Sequence, residues 1–468
     1  MMLKRILFIK KFNINLKDFC LLFVIFLLLQ TSNLISQEIT ANVLVSNKNK
    51  TISENIKISG VEAKNDSIFF LLNEILTINY VKFNNKNIKF YIDTTQNEEN
   101  QKIYYLISEK PIKLSDTLSF NINGKFINFN DSIKNNFETN GNIVSDYGIF
   151  RANCSAAWHP LIIKNHNITD VYTKKYNYNL SIKSDKDCYI QIADKKPVKQ
   201  QTTINNYTGK IMLLIGKYKW NKIDNNIFIN IDKNKQTEIQ QYTSNIKNYY
   251  DSLMGIPINN NFVFIRLKTH DINNWAFFNY PQIVYIDNQR NKWKDDMGLI
   301  SHEIAHYYFG NIYIPKSNLH WFYSESFTEY LSFKYQIHSK QMQTLKKKYH
   351  TLKLVKLFNL FYIYKVNGYS IEFINLKYVN DKYKLTEVQV YNFSPFQLLG
   401  IEHEIGEEKM VKFIKTVFSN ISNDKDGYIT MLKSLKQVGV DEKTIHKIEK
   451  KYFFKLKLRK YKFVKKYF

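Results

Sequence analysis

His302-Glu303-Ile304-Ala305-His306, with Trp321-Phe322-Tyr323-Ser324-Glu325-Ser326-Phe327 shortly downstream, is the stretch on which the reading of this chain turns. In a helix, positions i and i+4 lie on one face, so both imidazoles reach a single metal ion. Glu303 leaves the same turn toward whatever the metal holds. The segment from Trp321 reads as the start of a second helix, from which Glu325 supplies a third ligand. Two histidines and one glutamate leave one position open to water, which is the catalytic form of a zinc site. Histidine is scarce, 10 in 468 residues, so the spacing is specific. The plainer alternative is a surface helix with two solvated histidines. The flanks oppose it: residues 297–312 are largely apolar with a helical rhythm, so the motif face is buried or lines a cleft. Charge on such a face needs compensation, and metal coordination provides it.

The length allows two or three domains with real cores, and a 44% hydrophobic, 15% aromatic composition is globular. The formal net charge is +26. Selected binding of a polyanion is one explanation. Codon bias is the stronger one, because Lys, Asn, Ile, Tyr and Phe are all abundant and the lysines are spread along the whole chain. No motif for RNA or DNA accompanies the charge, so no nucleic-acid partner is expected.

Residues 1–36 read as a secretory signal, with a basic region containing Lys4, Arg5, Lys10, Lys11 and Lys17 and an apolar run from Phe19 to Leu29. Cleavage after Ser36 would export the remainder to the periplasm, cell surface or medium; an uncleaved N-terminal membrane anchor is the alternative. Cys20 lies in this segment. Cys154 and Cys188 remain, and whether they pair is open.

From residue 37 to about 200, short alternating runs such as Leu118-Ser119-Phe120-Asn121-Ile122 and Tyr178-Asn179-Leu180-Ser181-Ile182 are separated by Asn, Asp, Lys and Gly. This predicts an antiparallel β domain, bounded at residues 37–231. Further strands are expected at Lys210–Trp220, Asn226–Ile231, Phe262–Leu267 and Ile283–Ile286. Gln236–Met254 has a helical pattern with Ile239, Tyr242, Ile246, Tyr249, Tyr250 and Leu253 on one face, closed by Gly255. Helices dominate after Lys294. Residues 232–440 form the expected second domain. Residues 441–468 form a basic helix or tail, either a solvated face or a contact with an anionic membrane surface.

The segment from His302 through Gly310-Asn311, with Trp321 to Glu325 and Phe327, resembles the membrane alanyl aminopeptidase family of zinc peptidases. These are gluzincins with a thermolysin-like catalytic domain. The family signature is His-Glu-x-x-His, eighteen residues, then Glu, with Phe-Gly-Asn and Trp-Leu-Asn-Glu-Gly-Phe as flanks. Here Ser324 and Ser326 replace the usual Asn and Gly. Trp158-His159-Pro160 falls where members often carry an aromatic residue near a Pro at the end of the β domain. The implied fold is α+β and multidomain: the β domain, then a thermolysin-like domain with a mixed β lobe and a helical lobe. The implied cofactor is one zinc ion per chain.

The resemblance also assigns roles. Tyr391 matches a family tyrosine that stabilises the oxyanion, although Phe393 and Ser394 stand where Lys and Gly are usual; its alternative is a packed core tyrosine. Glu303 becomes the general base. Trp275-Ala276-Phe277-Phe278-Asn279 stands where the family has Gly-Ala-Met-Glu-Asn, a strand that binds substrate. The family glutamate that grips the substrate's α-amino group is Phe278 here, and a phenyl ring offers an ammonium only a weaker cation–π contact. Glu329, one turn past Glu325, either orients a ligand histidine or is a solvated carboxylate. The function implied is an exported zinc metallopeptidase acting on peptides or proteins with altered amine recognition, which admits endopeptidase action. The alternative from another class is a zinc-containing peptide-binding or assembly protein without turnover.

Overall fold

The computed structural model describes residues 37–467 except 62–65, 99–100, 126–141, 146–147, 152–156, 164–175, 260, 269–274, 280, 288–296, 316, 351–374, 380–384, 422–425 and 454–457. The expected signal segment, Cys20 and Cys154 therefore lie outside the described residues; Cys188 is buried.

Alternation builds the N-terminal part. In Glu38–Ser46 the side chains of Ile39, Ala41, Val43 and Val45 are buried and those between them are exposed. A period of two places them on one face. This strand pairs antiparallel with Thr51–Ser59 and parallel with Tyr176–Ser184, inside a seven-stranded sheet. The region is thus the expected β domain, its described strands pairing with one another antiparallel except for this one parallel pair. Hairpin signals are local, whereas this parallel partner arrives from far along the chain and leaves no trace in either strand's pattern. The core of this part contains Phe70, Phe120, Trp158, Tyr176 and Tyr178. Trp158, His159 and Pro160 are all buried, and His159 Nε2 lies 3.1 Å from the Tyr178 hydroxyl.

Beyond the three sheets of the N-terminal part, a further five-stranded sheet runs in the order Trp220–Ile223, Asn226–Ile229, Val263–Lys268, Gln282–Asp287, Trp275–Asn279. Its first two strands precede residue 232, so the sheet straddles the boundary expected there. The buried Gln282 amide donates to Gln191 Oε1 at 2.6 Å and to the Met212 carbonyl at 3.1 Å, tying this sheet to the N-terminal part. Leu214 and Tyr218 pack against Ile227, Ile229 and Val263 across the same junction.

Helices enclose the motif. Lys233–Met254 buries Ile239, Tyr242, Ile246, Tyr250 and Met254 on one stripe. It ends at Gly255, whose positive φ of 67° suits glycine and lets its N–H reach the Asp251 carbonyl. Tyr250 donates to the Ser301 carbonyl at 2.9 Å and Tyr308 to the Ile256 carbonyl at 2.8 Å, so this helix braces the motif from behind. Further helices, Ser394–Ile405, Glu407–Ile421, Gly427–Gln437 and Glu442–Ile448, complete the second core. The basic stretch at the end belongs to that core too. Tyr452, Phe453, Tyr461 and Val464 are buried in it. In the 3-10 helix Leu458–Tyr467 the three-residue period keeps Lys462 and Lys465 exposed opposite Tyr461 and Val464. Among the described residues no helix is long and apolar enough to cross a membrane.

Candidate active site

The helix Met297–Ala305 carries His302 and Glu303, and His306 follows in the turn that ends it. The Trp321 segment is helical as expected, but its first turn is a π-turn, Phe322–Ser326, that leads into the α-helix Phe327–His338. Glu325 sits on this π-turn, a wide geometry that recurs at functional sites. Tyr391 sits on another, Val388–Phe393.

His302, His306 and Glu325 converge: their ligating atoms all lie within 4.8 Å of one another. Glu325 Oε2 is 3.4 Å from His302 Nε2 and 3.2 Å from His306 Nε2. Zinc bonds to nitrogen and oxygen set tetrahedrally would place neighbouring donor atoms about 3.3 Å apart. The donor set and the two glutamate–imidazole spacings therefore fit such an ion. The outer nitrogens are already engaged. His302 Nδ1 donates to Glu329 Oε2 at 2.7 Å, and His306 Nδ1 donates to the Phe309 carbonyl at 3.0 Å. In the neutral imidazoles, the form that binds a metal, those bonds leave each Nε2 lone pair directed inward.

The site is rich in negative charge. Burial alone would depress the His302 pKa, but hydrogen bonds to Glu325 and Glu329 override it and push it up to about 10. His306 is raised as well: burial opposes the shift, and the Glu325 carboxylate outweighs it. Burial raises the Glu325 carboxyl, yet the His306 and His302 imidazoles hold it well below the usual range. Three carboxylates around two imidazoles thus call for positive charge, which protons or a cation can meet. Glu303 is only 3% exposed. Burial pushes its carboxyl above the ordinary value, against the pull of His302 and His306. Burial, then the Glu325 charge, also keep the Tyr391 phenol well above its usual pKa. Its ring lies 6.0 Å from that of His302 and 6.3 Å from that of Trp321.

Of the residues singled out in the sequence, His302, Glu303, His306, Glu325, Glu329 and Tyr391 thus come together. Glu329 is buried against His302 and is not a solvated carboxylate. Trp275–Asn279 is the last strand of the five-stranded sheet, pairs only with Gln282–Asp287 among the described residues, and lies beside the motif helix. Sequence reasoning missed three groups. Lys348 Nζ lies 2.8 Å from Glu329 Oε1 and 3.2 Å from the Tyr391 carbonyl. Thr328 Oγ1 is 3.3 Å from His306 Nδ1. Ser326 Oγ donates to the Val390 carbonyl at 2.9 Å. Lys348 is one of three adjacent lysines, a run that gives no hint of which one turns inward.

No family model and no curated protein matches the sequence. Solved structures do match the fold. An M1 zinc metallopeptidase mutant from Deinococcus radiodurans bound to a Tyr-Ser-Ala substrate superposes with a TM-score of 0.60 at 10% identity, covering 89% of this chain and 93% of that one. Native leukotriene A4 hydrolase from Saccharomyces cerevisiae gives 0.62 at 13% identity, over 90% of this chain and 68% of that one. At such identities the likeness speaks to architecture: over about nine-tenths of its length, the chain has the multidomain fold of the M1 zinc metallopeptidases.

Proposed function

We propose that the protein is an exported zinc metallopeptidase that hydrolyses peptide bonds. The observation that carries this reading is the convergence of His302, His306 and Glu325 beside a buried glutamate, Glu303, with no expected ligand displaced. His302, His306 and Glu325 would hold one zinc ion per chain. The chemistry that a bound zinc supplies is polarisation of a carbonyl and acidification of water toward neutral pH. Glu303 accepts the proton of the attacking water at its carboxylate and passes it to the leaving amine. The Tyr391 phenol, kept protonated, donates a hydrogen bond to the developing oxyanion. The edge of Trp275–Asn279 that has no partner strand among the described residues pairs with an extended substrate backbone, which positions a peptide without reading its side chains.

Phe278 is the residue of that strand that separates this chain from strict aminopeptidases, because no carboxylate stands there to pair with a substrate ammonium. Cleavage should therefore not depend on a free N-terminus. A peptide library with free and acetylated N-termini, read by mass spectrometry, should show comparable cleavage of both; cleavage confined to free N-termini would refute altered amine recognition. Glu303→Gln should retain zinc and lose at least about a hundredfold in kcat/KM. Retained hydrolysis in that variant would remove Glu303 as the base, and purified parent protein without zinc would defeat the reading as a whole.

A further inference from the structure

Two donors converge on successive carbonyls of the π-turn that carries Tyr391. Ser326 Oγ reaches Val390 O at 2.9 Å, and Lys348 Nζ reaches Tyr391 O at 3.2 Å. The hydroxyl stands where the resembled family has glycine, so this contact belongs to the present chain. The same Lys348 ammonium lies 2.8 Å from Glu329 Oε1, while Glu329 Oε2 accepts from His302 Nδ1 at 2.7 Å. An ammonium has three donors on one tetrahedral nitrogen, so it can serve a carbonyl and a carboxylate together. The pair is well enclosed, with side-chain exposures of 20% for Lys348 and 4% for Glu329. Removing one partner of an enclosed pair leaves the other uncompensated.

Lys348 is itself held firmly. It projects from the helix of residues 343–350, whose Leu345 N–H donates to Gln336 Oε1 at 3.0 Å. Thr344 of the same helix lies so close to Gly298 of the motif helix that a Cβ there would come within 2.3 Å of Thr344 Oγ1. The helix carrying Lys348 is therefore docked on the helix carrying His302. An ion pair serving stability alone would need only the carboxylate. Here each partner of the ammonium aims a different group of the site.

We propose that Lys348 is a positioning residue that couples the orientation of Tyr391 to that of His302, through the Tyr391 carbonyl on one side and the Glu329 carboxylate on the other. The assignment rests on the peptidase reading above. Lys348 touches neither substrate nor reacting atoms; it sets where the phenol and the imidazole stand.

The test uses the full chain with zinc or with cobalt in its place, and a phosphinic dipeptide as a tetrahedral probe. Lys348→Met should weaken zinc binding about 10–100-fold in chelator competition and alter the visible spectrum of the cobalt form. At saturating zinc it should weaken the phosphinic dipeptide about tenfold and lower kcat with KM within about twofold. Lys348→Arg should recover most of each loss. In a Tyr391→Phe background, Lys348→Met should still weaken zinc binding but no longer weaken the probe. Unchanged zinc affinity and cobalt spectrum in folded Lys348→Met would overturn the proposal. So would an equal loss of probe affinity with and without the Tyr391 hydroxyl. Lys348→Gln is read by the same criteria if Lys348→Met does not fold. Should the parent bind zinc yet cleave no peptide, the peptidase reading fails, while the zinc, cobalt and probe readouts still decide the coupling.

Discussion

His302 and His306 each use Nδ1 on a protein acceptor and keep Nε2 for the site. That division of labour is invisible in the motif, which specifies only that two imidazoles share a face. The spacing of the histidines and Glu325 was legible because helix geometry is a local property. Glu329 was half-legible: its position one turn past Glu325 suggested a partner, but only tertiary contact shows it buried on His302. Tyr391 carries no signal of its own among 33 tyrosines, and only the family resemblance distinguishes it. Its assignment is testable directly. Tyr391→Phe should lower kcat about 10²–10³-fold with zinc content unchanged, measured by steady-state kinetics and metal analysis. A kcat within threefold of the parent would return Tyr391 to the role of a packed core tyrosine.

Local sequence specifies the elements unevenly. Helix Lys233–Met254 matched its periodic stripe and its glycine stop, since both are written locally. The π-turns leave no mark in the sequence, because an inserted residue widens a helix without changing the kinds of residues in it. The two π-turns at the site meet through Ser326 and Val390, both buried. Ser326→Ala should therefore cost about 1 kcal/mol of stability and lower activity, by urea titration and kinetics; unchanged values for both would show that the contact contributes nothing. Helix Ser394–Ile405 depends on a small residue where the chain's end crosses it. A Cβ on Gly400 would fall 2.5 Å from the Tyr452 ring. Gly400→Ala should cost about 1–3 kcal/mol by overpacking, seen as a lowered Tm. No change in Tm would mean that Tyr452 moves aside freely.

Across the whole molecule, the C-terminal stretch shows most clearly what packing adds to a sequence pattern. Read alone it is a basic helix or tail with a solvated face; folded, its aromatic residues are buried and its start is clamped by charge. Glu404, its side chain 6% exposed, lies 2.5 Å from Lys447 Nζ and 2.6 Å from Lys451 Nζ, and accepts the Tyr452 hydroxyl at 3.0 Å. Burial would raise its pKa, but these three donors bring it down to about 2. A folded pKa below the unfolded one contributes stability that is fully present above the unfolded value, near 4.5, and is lost as pH falls toward 2. Glu404→Gln should therefore cost on the order of 1–3 kcal/mol at pH 7, discounted for the exposed lysines, and almost nothing at pH 2, by urea denaturation at both. An equal cost at both pH values would disprove the charge clamp. The sequence by itself determined the zinc-type ligand spacing, the β-then-helix order and the altered strand at Phe278, because periodicity and short spacings are encoded within a few residues. Only the tertiary structure decided the parallel pairing of Glu38–Ser46, the sheet that crosses residue 232, the burial of the C-terminal aromatics and the place of Lys348. Each of these depends on contacts between residues remote in the chain, and those follow from how the layers pack rather than from any local pattern.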